Sequence, residues 1–458
     1  MQILLTGVET PRGQALAEAL ASAHHVRQLA ATALADRAAL AEATRGVEAV
    51  VHIVAWPGDQ ADGAVAALDQ ATRGTYDLLT AAHVPVLVLV TTLGPFARYD
   101  AALTIGPEWT PRPRADLDDL APFLAELTAR EVSRVRQTRV AVVRAGVAAD
   151  ASVAAEVAAA LAWETDEDDR SSTWRVRHVG DRPPASVSSQ SPTPPVARPV
   201  RRVTIFGAGG PLGAVTAEAL AHDHVLRLTD ARPWESVLAA SPQSPGAPVP
   251  TPYAPPHETV TVDVTDAGAV AQAAVGADAL VNCTVVRRDP VEAFRVNVLG
   301  ALNVMQAAVA HGIRRVVQTG PLLTLLGHPG GYGAEFGLSD DLPPRPGDDL
   351  YFVTKFLGQE ICRVFAEEHG LSVPTLLFTN FYGPETPVAG SHRFYPFAVS
   401  WADSGEAMRR AVMVPNLPRP FEPLHVVADL PHGKYPNTKI KQLLGWQPRD
   451  DLVRFWTK

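Results

Sequence analysis

The residue types best suited to chemistry sit together in D-D-L-Y-F-V-T-K-F-L-G-Q-E-I-C-R-V-F-A-E-E-H-G, which carries Tyr351 and Lys355. The apolar pattern predicts an amphipathic helix, and a separation of four residues puts both side chains on one face. A free phenol loses its proton at a pH of about 10, too high for easy exchange near neutrality. A neighbouring ammonium favours the phenolate and turns the phenol into a usable general acid/base. The pattern Y-x-x-x-K is short and recurs by chance, so its weight depends on what surrounds it.

Upstream, V-T-I-F-G-A-G-G-P-L-G-A-V runs from an apolar strand straight into a helix, with Gly207, Gly210 and Gly213 spaced G-x-x-G-x-x-G. Glycine is needed where the turn is tight and the backbone must approach a pyrophosphate, which the N–H groups of the helix N-terminus then hold. The next strand, H-V-L-R-L-T-D, ends at Asp230. A carboxylate there accepts both adenosine ribose hydroxyls and repels a 2′-phosphate, so NAD is the expected cofactor. Arg232, two residues on, keeps NADP as the less favoured alternative. After a Pro-rich stretch, T-V-T-V-D-V-T-D places Asp263 at the end of a third strand, on the adenine side.

These groups need a scaffold, and the chain writes one twice. Gly7, Pro11, Gly13 and A-E-A-L at 17–20 recur as Gly207, Pro211, Gly213 and A-E-A-L at 217–220. G-T-Y-D-L-L-T-A-A from Gly74 matches G-A-L-N-V-M-Q-A-A from Gly300, and V-L-V-T-T-L from Val88 matches V-V-Q-T-G-P from Val316. Each half alternates β-branched runs with Ala-rich amphipathic stretches, the signal of β-α-β units. The predicted fold is α/β: two tandem Rossmann-like, doubly wound parallel-sheet domains, the second with a small C-terminal substrate lobe. The expected boundaries are 1–180, a Pro/Ser-rich linker at 181–199, and 200–458. Ser241–His257 reads as a surface insertion.

The 458 residues are 47% hydrophobic and 19% charged, a soluble globular composition with material for more than one core. A net charge of −9 with no basic run argues against nucleic acid or an anionic membrane as partner. Cys283 and Cys362 lie far apart without metal-like spacing, so neither disulfides nor a metal are expected, and a reducing compartment fits. The opening M-Q-I-L-L-T-G reads as strand and glycine turn rather than signal peptide, and no apolar run approaches bilayer-spanning length. A cytoplasmic protein is expected.

Taken in order, the Gly207 loop, Asp263, N-V-L-G-A-L-N from Asn297, Y-F-V-T-K, T-N-F-Y-G-P from Thr379 and the tail K-Q-L-L-G-W-Q-P-R-D-D-L resemble one family. It is the extended short-chain dehydrogenase/reductases of the NAD-dependent epimerase/dehydratase type, with nucleotide-sugar epimerases, dehydratases and uronate dehydrogenases among its members. The resemblance spans nearly all of 200–458. It implies Tyr351 as acid/base and Lys355 as the group that lowers its pKa and holds the nicotinamide ribose. It also implies Asn297 in the central helix or a proton relay, Thr284 among the cofactor contacts and Asn380 near the substrate. The implied reaction is hydride transfer on a sugar, sugar acid or nucleotide sugar; the lack of an arginine cluster for a diphosphate favours smaller sugars. Alternatives are a hydroxysteroid- or flavonoid-type reductase, and a non-catalytic NAD-bound regulatory or scaffold protein.

Two departures bear on this. The family's Ser-Ser or Ser-Thr at the strand end, which polarises the substrate carbonyl, is replaced by Gly320-Pro321, leaving Thr319, or else Thr324, to supply the hydroxyl. Phe378 replaces the arginine often found before T-N-F-Y-G-P. In the first half the chemistry is missing altogether. Glu9 and Thr10 stand for Gly209 and Gly210, Ala31 for Asp230, Ala71 for Asn297, and Leu120 and Leu124 for Tyr351 and Lys355. That half is expected to be silent. Because family members commonly dimerise through the Tyr-Lys helix and the one before it, an intramolecular pseudo-dimer is expected, with a homodimer as alternative. Leu120, Leu124, Leu127 and Val132 are its candidate interface residues. Arg393 is a candidate for an anionic substrate group, His425 and His432 read as structural, and T-D-E-D-D at 165–169 as a solvated loop.

Overall fold

A computed structural model describes residues 1–54, 61–81, 84–163, 173–181, 199–244, 246–327, 331–383 and 397–455. Arg393, the acidic run at 165–169 and all but the ends of the expected linker lie outside the described residues. The chain divides into two compact units, Met1–Gln190 with Gly347–Asp349, and Ser191–Pro346 with Leu350–Lys458.

In the first unit six parallel strands lie in the order His25–Leu29, Gln2–Thr6, Ala49–Ile53, Val86–Thr92, Arg139–Ala145, Trp174–Val179. The central ones read AVVHI and VLVLVTT, near-continuous β-branched runs buried on both faces, as a parallel sheet covered by helices requires. In the second unit seven parallel strands lie in the order Glu258–Thr261, Val225–Asp230, Arg202–Phe206, Ala279–Asn282, Arg315–Pro321, Val373–Phe378, Phe421–His425. Here the chain builds outward from Arg202–Phe206 to one edge, then crosses back to build the other. The crevice at that reversal is where such sheets bind ligands. A short parallel pair, Asn380–Tyr382 with Ala398–Ser400, follows, and Phe381 stacks on Trp401 with ring centres 4.2 Å apart.

Both units are doubly wound parallel sheets, and they differ at one edge. Among the described residues the first has no counterpart of Glu258–Thr261; after His25–Leu29 its chain passes into a 3₁₀ turn at Ala31–Ala35 and a helix at Arg37–Ala43. Strand register also moves two of the sequence matches. Thr6, His52 and Leu89 form one row in the first sheet, and Phe206, Asn282 and Gln318 the same row in the second. Val90 therefore stands at the place of Thr319, and Thr91 and Thr92 at Gly320 and Pro321, one residue from the match by letters. By the same pairing Ala30, not Ala31, stands at the place of Asp230.

The long helices Leu117–Arg136 and Leu350–His369 are both 20 residues and both end in a left-handed residue, Gln137 at φ 56° and Gly370 at φ 62°. A non-glycine side chain in that region costs roughly 1–2 kcal/mol, so the left-handed turn at Gln137 is held by its surroundings rather than by local preference. Aligned on it, Asp118 and Pro122 occupy the places of Tyr351 and Lys355, in place of Leu120 and Leu124. The Leu- and Ala-rich periodicity of the first helix allowed the wrong phase. Leu120, Leu124, Leu127 and Val132 are all buried.

One sequence expectation fails outright. The helix Pro290–Ala310, 21 residues, is long and apolar enough to cross a membrane by length and composition. It is mostly buried within the protein and contains a π-helical segment at Arg295–Leu299; a matching π segment occurs at Gln70–Gly74.

Candidate active site

The glycine loop of the second unit is a cradle that side chains would fill. Gly207 has φ 76°, and a Cβ there would lie 3.0 Å from the backbone of Cys283 and Thr284. A Cβ on Gly213 would lie 2.3 Å from the Gly207 carbonyl oxygen. Gly210 is the N-cap of the helix Pro211–Leu220, with no side-chain cap, and Pro211 opens that helix without an N–H of its own. The first-turn N–H groups therefore have no side-chain cap, an arrangement that fits a dinucleotide pyrophosphate.

Asp230 ends its strand beside this loop. Its Oδ2 accepts from the Gly209 N–H at 3.1 Å, and its Oδ1 accepts from the Arg232 backbone N–H at 3.1 Å and from Arg232 Nε at 2.9 Å. Asp263 is exposed and its Oδ1 accepts from the Thr265 N–H at 2.9 Å.

Tyr351 and Lys355 share a face of Leu350–His369. Tyr351 is half-buried, and the Arg287 guanidinium sits 5.0 Å from its ring centre. Lys355 is buried and its Nζ donates to the Thr284 carbonyl at 3.3 Å. Burial pushes its ammonium down to about 8; Cys283 and Cys362 oppose that shift and the Arg287 charge adds to it. Thr284 is fixed in turn, its hydroxyl donating to Asn282 Oδ1 at 2.7 Å.

Asn297 lies in the π segment and ties three elements together. Its Nδ2 donates to the Val286 carbonyl at 2.7 Å and to Thr354 Oγ1 at 2.9 Å, while its Oδ1 accepts from the Val286 N–H at 3.1 Å. The helices meet closely because Gly358 has no side chain: a Cβ there would lie 2.3 Å from the Asn297 carbonyl oxygen.

The strand-end hydroxyls are otherwise engaged. Thr319 is buried and donates to the Asn282 carbonyl at 2.8 Å; Thr324 is buried and donates to the Pro321 carbonyl at 3.2 Å. A Cβ on Gly320 would lie 2.2 Å from Gln359 Nε2, so the Gln359 carboxamide occupies the space a side chain at 320 would take. Asn380 is half-buried on its short strand. The structure thus brings Tyr351, Lys355, Asn297 and Thr284 into one connected group, with the glycine cradle and Asp230 at the neighbouring strand ends. Among the described residues no cluster of His, Cys, Asp or Glu is arranged to hold a metal ion.

Three residues escaped the sequence reading. Thr354 sits inside the quoted Y-F-V-T-K, but its partner Asn297 is 57 positions away. Gln359 and Arg287 belong to no motif; only the close approach of their elements reveals them.

The first unit closes the same places with its own groups. The Thr10 hydroxyl accepts from the Gly13 N–H and donates to the Gly7 carbonyl, both at 2.9 Å. Glu9 Oε1 accepts from the Ala31 N–H at 2.5 Å. Where Gly320 faces Gln359, Thr91 Oγ1 donates to Glu126 Oε1 at 2.7 Å, and Glu126 is paired with Arg144.

A parallel sheet with a glycine cradle at its reversal and a Tyr-Lys helix beside it defines a nucleotide-dependent short-chain dehydrogenase/reductase site. Residues 203–416 match the model of the NAD dependent epimerase/dehydratase family. The match lies in the second unit, and NAD is its cofactor. A uronate dehydrogenase of Pseudomonas putida is 26% identical over 222 residues, 48% of this chain and 74% of the relative. The L-arabinose 1-dehydrogenase (NAD(P)(+)) of Haloferax volcanii is 28% identical over 271 residues, 55% of this chain and 97% of the relative. Among solved structures, the uronate dehydrogenase of Agrobacterium tumefaciens is similar at 27% identity and a TM-score of 0.45, covering 55% of this chain and 85% of that one.

Proposed function

We propose that the second unit is a dehydrogenase that oxidises a carbinol carbon of a small sugar or sugar acid, and that the first unit is a non-catalytic copy serving as its scaffold. The observation that carries this reading is Lys355, buried, donating to the Thr284 carbonyl, and one helical turn from Tyr351. NAD on the Gly207–Gly213 cradle supplies the hydride acceptor. Tyr351 takes the proton of the substrate hydroxyl, and the Lys355 charge lowers the phenol's proton affinity so that it can do so near neutrality. Asp230 serves the adenosine ribose and Asp263 the adenine side. Asn297 keeps the loop after Ala279–Asn282 in register with the Tyr351 helix, and Asn380 and Arg393 serve the substrate side. With Thr319 and Thr324 bonded to backbone, Tyr351 meets the substrate oxygen without a second hydroxyl from the strand end. The relatives' names, uronate and L-arabinose dehydrogenases, support a sugar or sugar acid over a nucleotide sugar and a dehydrogenase over an isomerase.

The same engaged threonines favour a second reading, a protein that binds NAD without turnover. The two are separated by NADH formation from D-glucuronate, D-galacturonate and L-arabinose, with calorimetric titration of NAD alongside. Turnover of at least one sugar, reduced by roughly 10²–10⁴ in Tyr351→Phe with NAD affinity unchanged, supports the dehydrogenase. NAD binding without turnover of any supports the second reading.

A further inference from the structure

The Arg287 guanidinium lies over the phenol ring of Tyr351 and outside the Gly207–Gly213 loop. It lies in the short loop between the strand Ala279–Asn282 and the helix Pro290–Phe294. That loop is pinned on both sides. The Val286 N–H and carbonyl are both bonded to the Asn297 carboxamide, and the Asp289 carboxylate caps the following helix by accepting from the Glu292 N–H at 2.9 Å. The guanidinium is therefore held above the Tyr351 ring by its backbone anchor, 5.0 Å from the ring centre.

Its charge is uncompensated locally. Arg287 is exposed, and among the described residues no carboxylate pairs with it. Its field reaches Lys355, which it makes less basic. Arg287 thus covers the phenol ring and also acts on Lys355, where the other groups acting are the neutral thiols of Cys283 and Cys362. A cation–π contact uses none of the guanidinium N–H groups as hydrogen-bond donors, which leaves a fork that matches two carboxylate oxygens. A sugar acid bound there would satisfy the fork at one end of its ring and present a carbinol to the Tyr351 hydroxyl at the other.

Resting on the dehydrogenase reading above, we infer that Arg287 is the residue that selects an anionic sugar, pairing with the carboxylate of a sugar acid whose carbinol hydroxyl meets Tyr351. The residue binds substrate and not cofactor.

The test compares sugars that differ only in that group: D-galacturonate against D-galactose and D-glucuronate against D-glucose, in the full-length protein with NAD. Wild type should favour the acids in kcat/KM. Arg287→Ala should cut that preference by roughly 10- to 100-fold, chiefly through KM for the acids, while any change in kcat that comes through the phenol or Lys355 should be common to acids and neutral sugars. Arg287→Lys, which keeps the charge and loses the fork, should fall between. Galacturonate titrated calorimetrically into the NADH-loaded protein should weaken in step, while NAD affinity in the apoprotein stays as in wild type. An unchanged acid-to-neutral ratio in Arg287→Ala overturns the inference, as does a wild type that oxidises only the neutral sugars. A tenfold loss of NAD affinity in Arg287→Ala overturns it too, because the arginine would then serve the cofactor. A wild type that binds NAD and oxidises none of these sugars takes down the dehydrogenase reading itself, and this inference with it.

Discussion

Gly7 and Gly207 carry φ angles of 79° and 76°, and each is followed by a proline at the first helical position, Pro11 and Pro211. Around this shared turn the hydrogen bonds run in opposite directions. In the second unit the loop supplies the N–H, from Gly209, and the next strand supplies the carboxylate, Asp230. In the first unit the loop supplies the carboxylate, Glu9, and the second residue past the strand supplies the N–H, Ala31. Thr10 then caps the Gly13 N–H, which at Gly210 has no side-chain counterpart. Side chains that satisfy a helix N-terminus stabilise it and remove its appetite for an anion in the same step. A binding site can thus be given up without cost to the fold. A second pair of positions differs the other way: the first unit keeps a hydroxyl–carboxylate contact, Thr91 to Glu126, where the second has Gly320 and the Gln359 carboxamide.

The strongest way to break this comparison is to give the second loop a charge like that of the first. Gly210 has the extended N-cap conformation, φ −88° and ψ 162°, which an aspartate adopts readily while capping the helix. Gly210→Asp should lower NAD affinity on the order of 100-fold by like-charge repulsion, with the melting temperature unchanged or raised. Calorimetry and thermal unfolding check the two halves of that statement. Undiminished binding would mean that the pyrophosphate lies elsewhere.

Next comes pH, because each unit buries a titratable group that strongly resists its proton. Burial pushes His52 down to about 4 and Lys355 down to about 8. Between about 4 and 6.5 the unfolded chain binds a proton that folded His52 refuses, so stability rises with pH across that window and is lost as pH falls. The same sign applies to Lys355 between about 8 and 10.5. Urea unfolding across pH should show the acid slope flattened in His52→Asn and the alkaline slope flattened in Lys355→Met, each by about 1.4 kcal/mol per pH unit at most. Asparagine is the informative choice at 52, since Asn282 occupies that row in the second sheet.

The smallest effect sharpens the comparison from the other side. Thr10→Ala removes a cap and should cost about 1 kcal/mol of stability, seen in the same urea titration. It should leave NAD affinity untouched; a change in NAD affinity would show that the first loop holds cofactor after all.

Much of the site was legible because its signals are local. A glycine forced to positive φ, a strand running into a helix, an acid at the next strand end and a Tyr-Lys pair one turn apart each depend on a few neighbouring residues. Thr319 illustrates what was not. Its type and place suited a catalytic hydroxyl, but its partner is the Asn282 carbonyl, 37 positions away on the adjoining strand. The helix Leu117–Arg136 illustrates another gap, since an even spread of Ala and Leu fits several phases of one helix and only its left-handed end at Gln137 selects one.

The sequence by itself determined the repeated pattern, the alternation of strands and helices, the glycine turn and the placing of Tyr351 and Lys355 on one helix face. Periodicity and backbone permissiveness act within a turn or a strand, where chain neighbours settle the energy. The tertiary structure alone decided the row in which each strand pairs, the threonines drawn to backbone, the carboxamide that fills the space at Gly320 and the guanidinium over the phenol. Those depend on which distant donors and acceptors the packed elements bring within hydrogen-bond reach, and a buried polar group bonds to the nearest one whatever chemistry its type suggests.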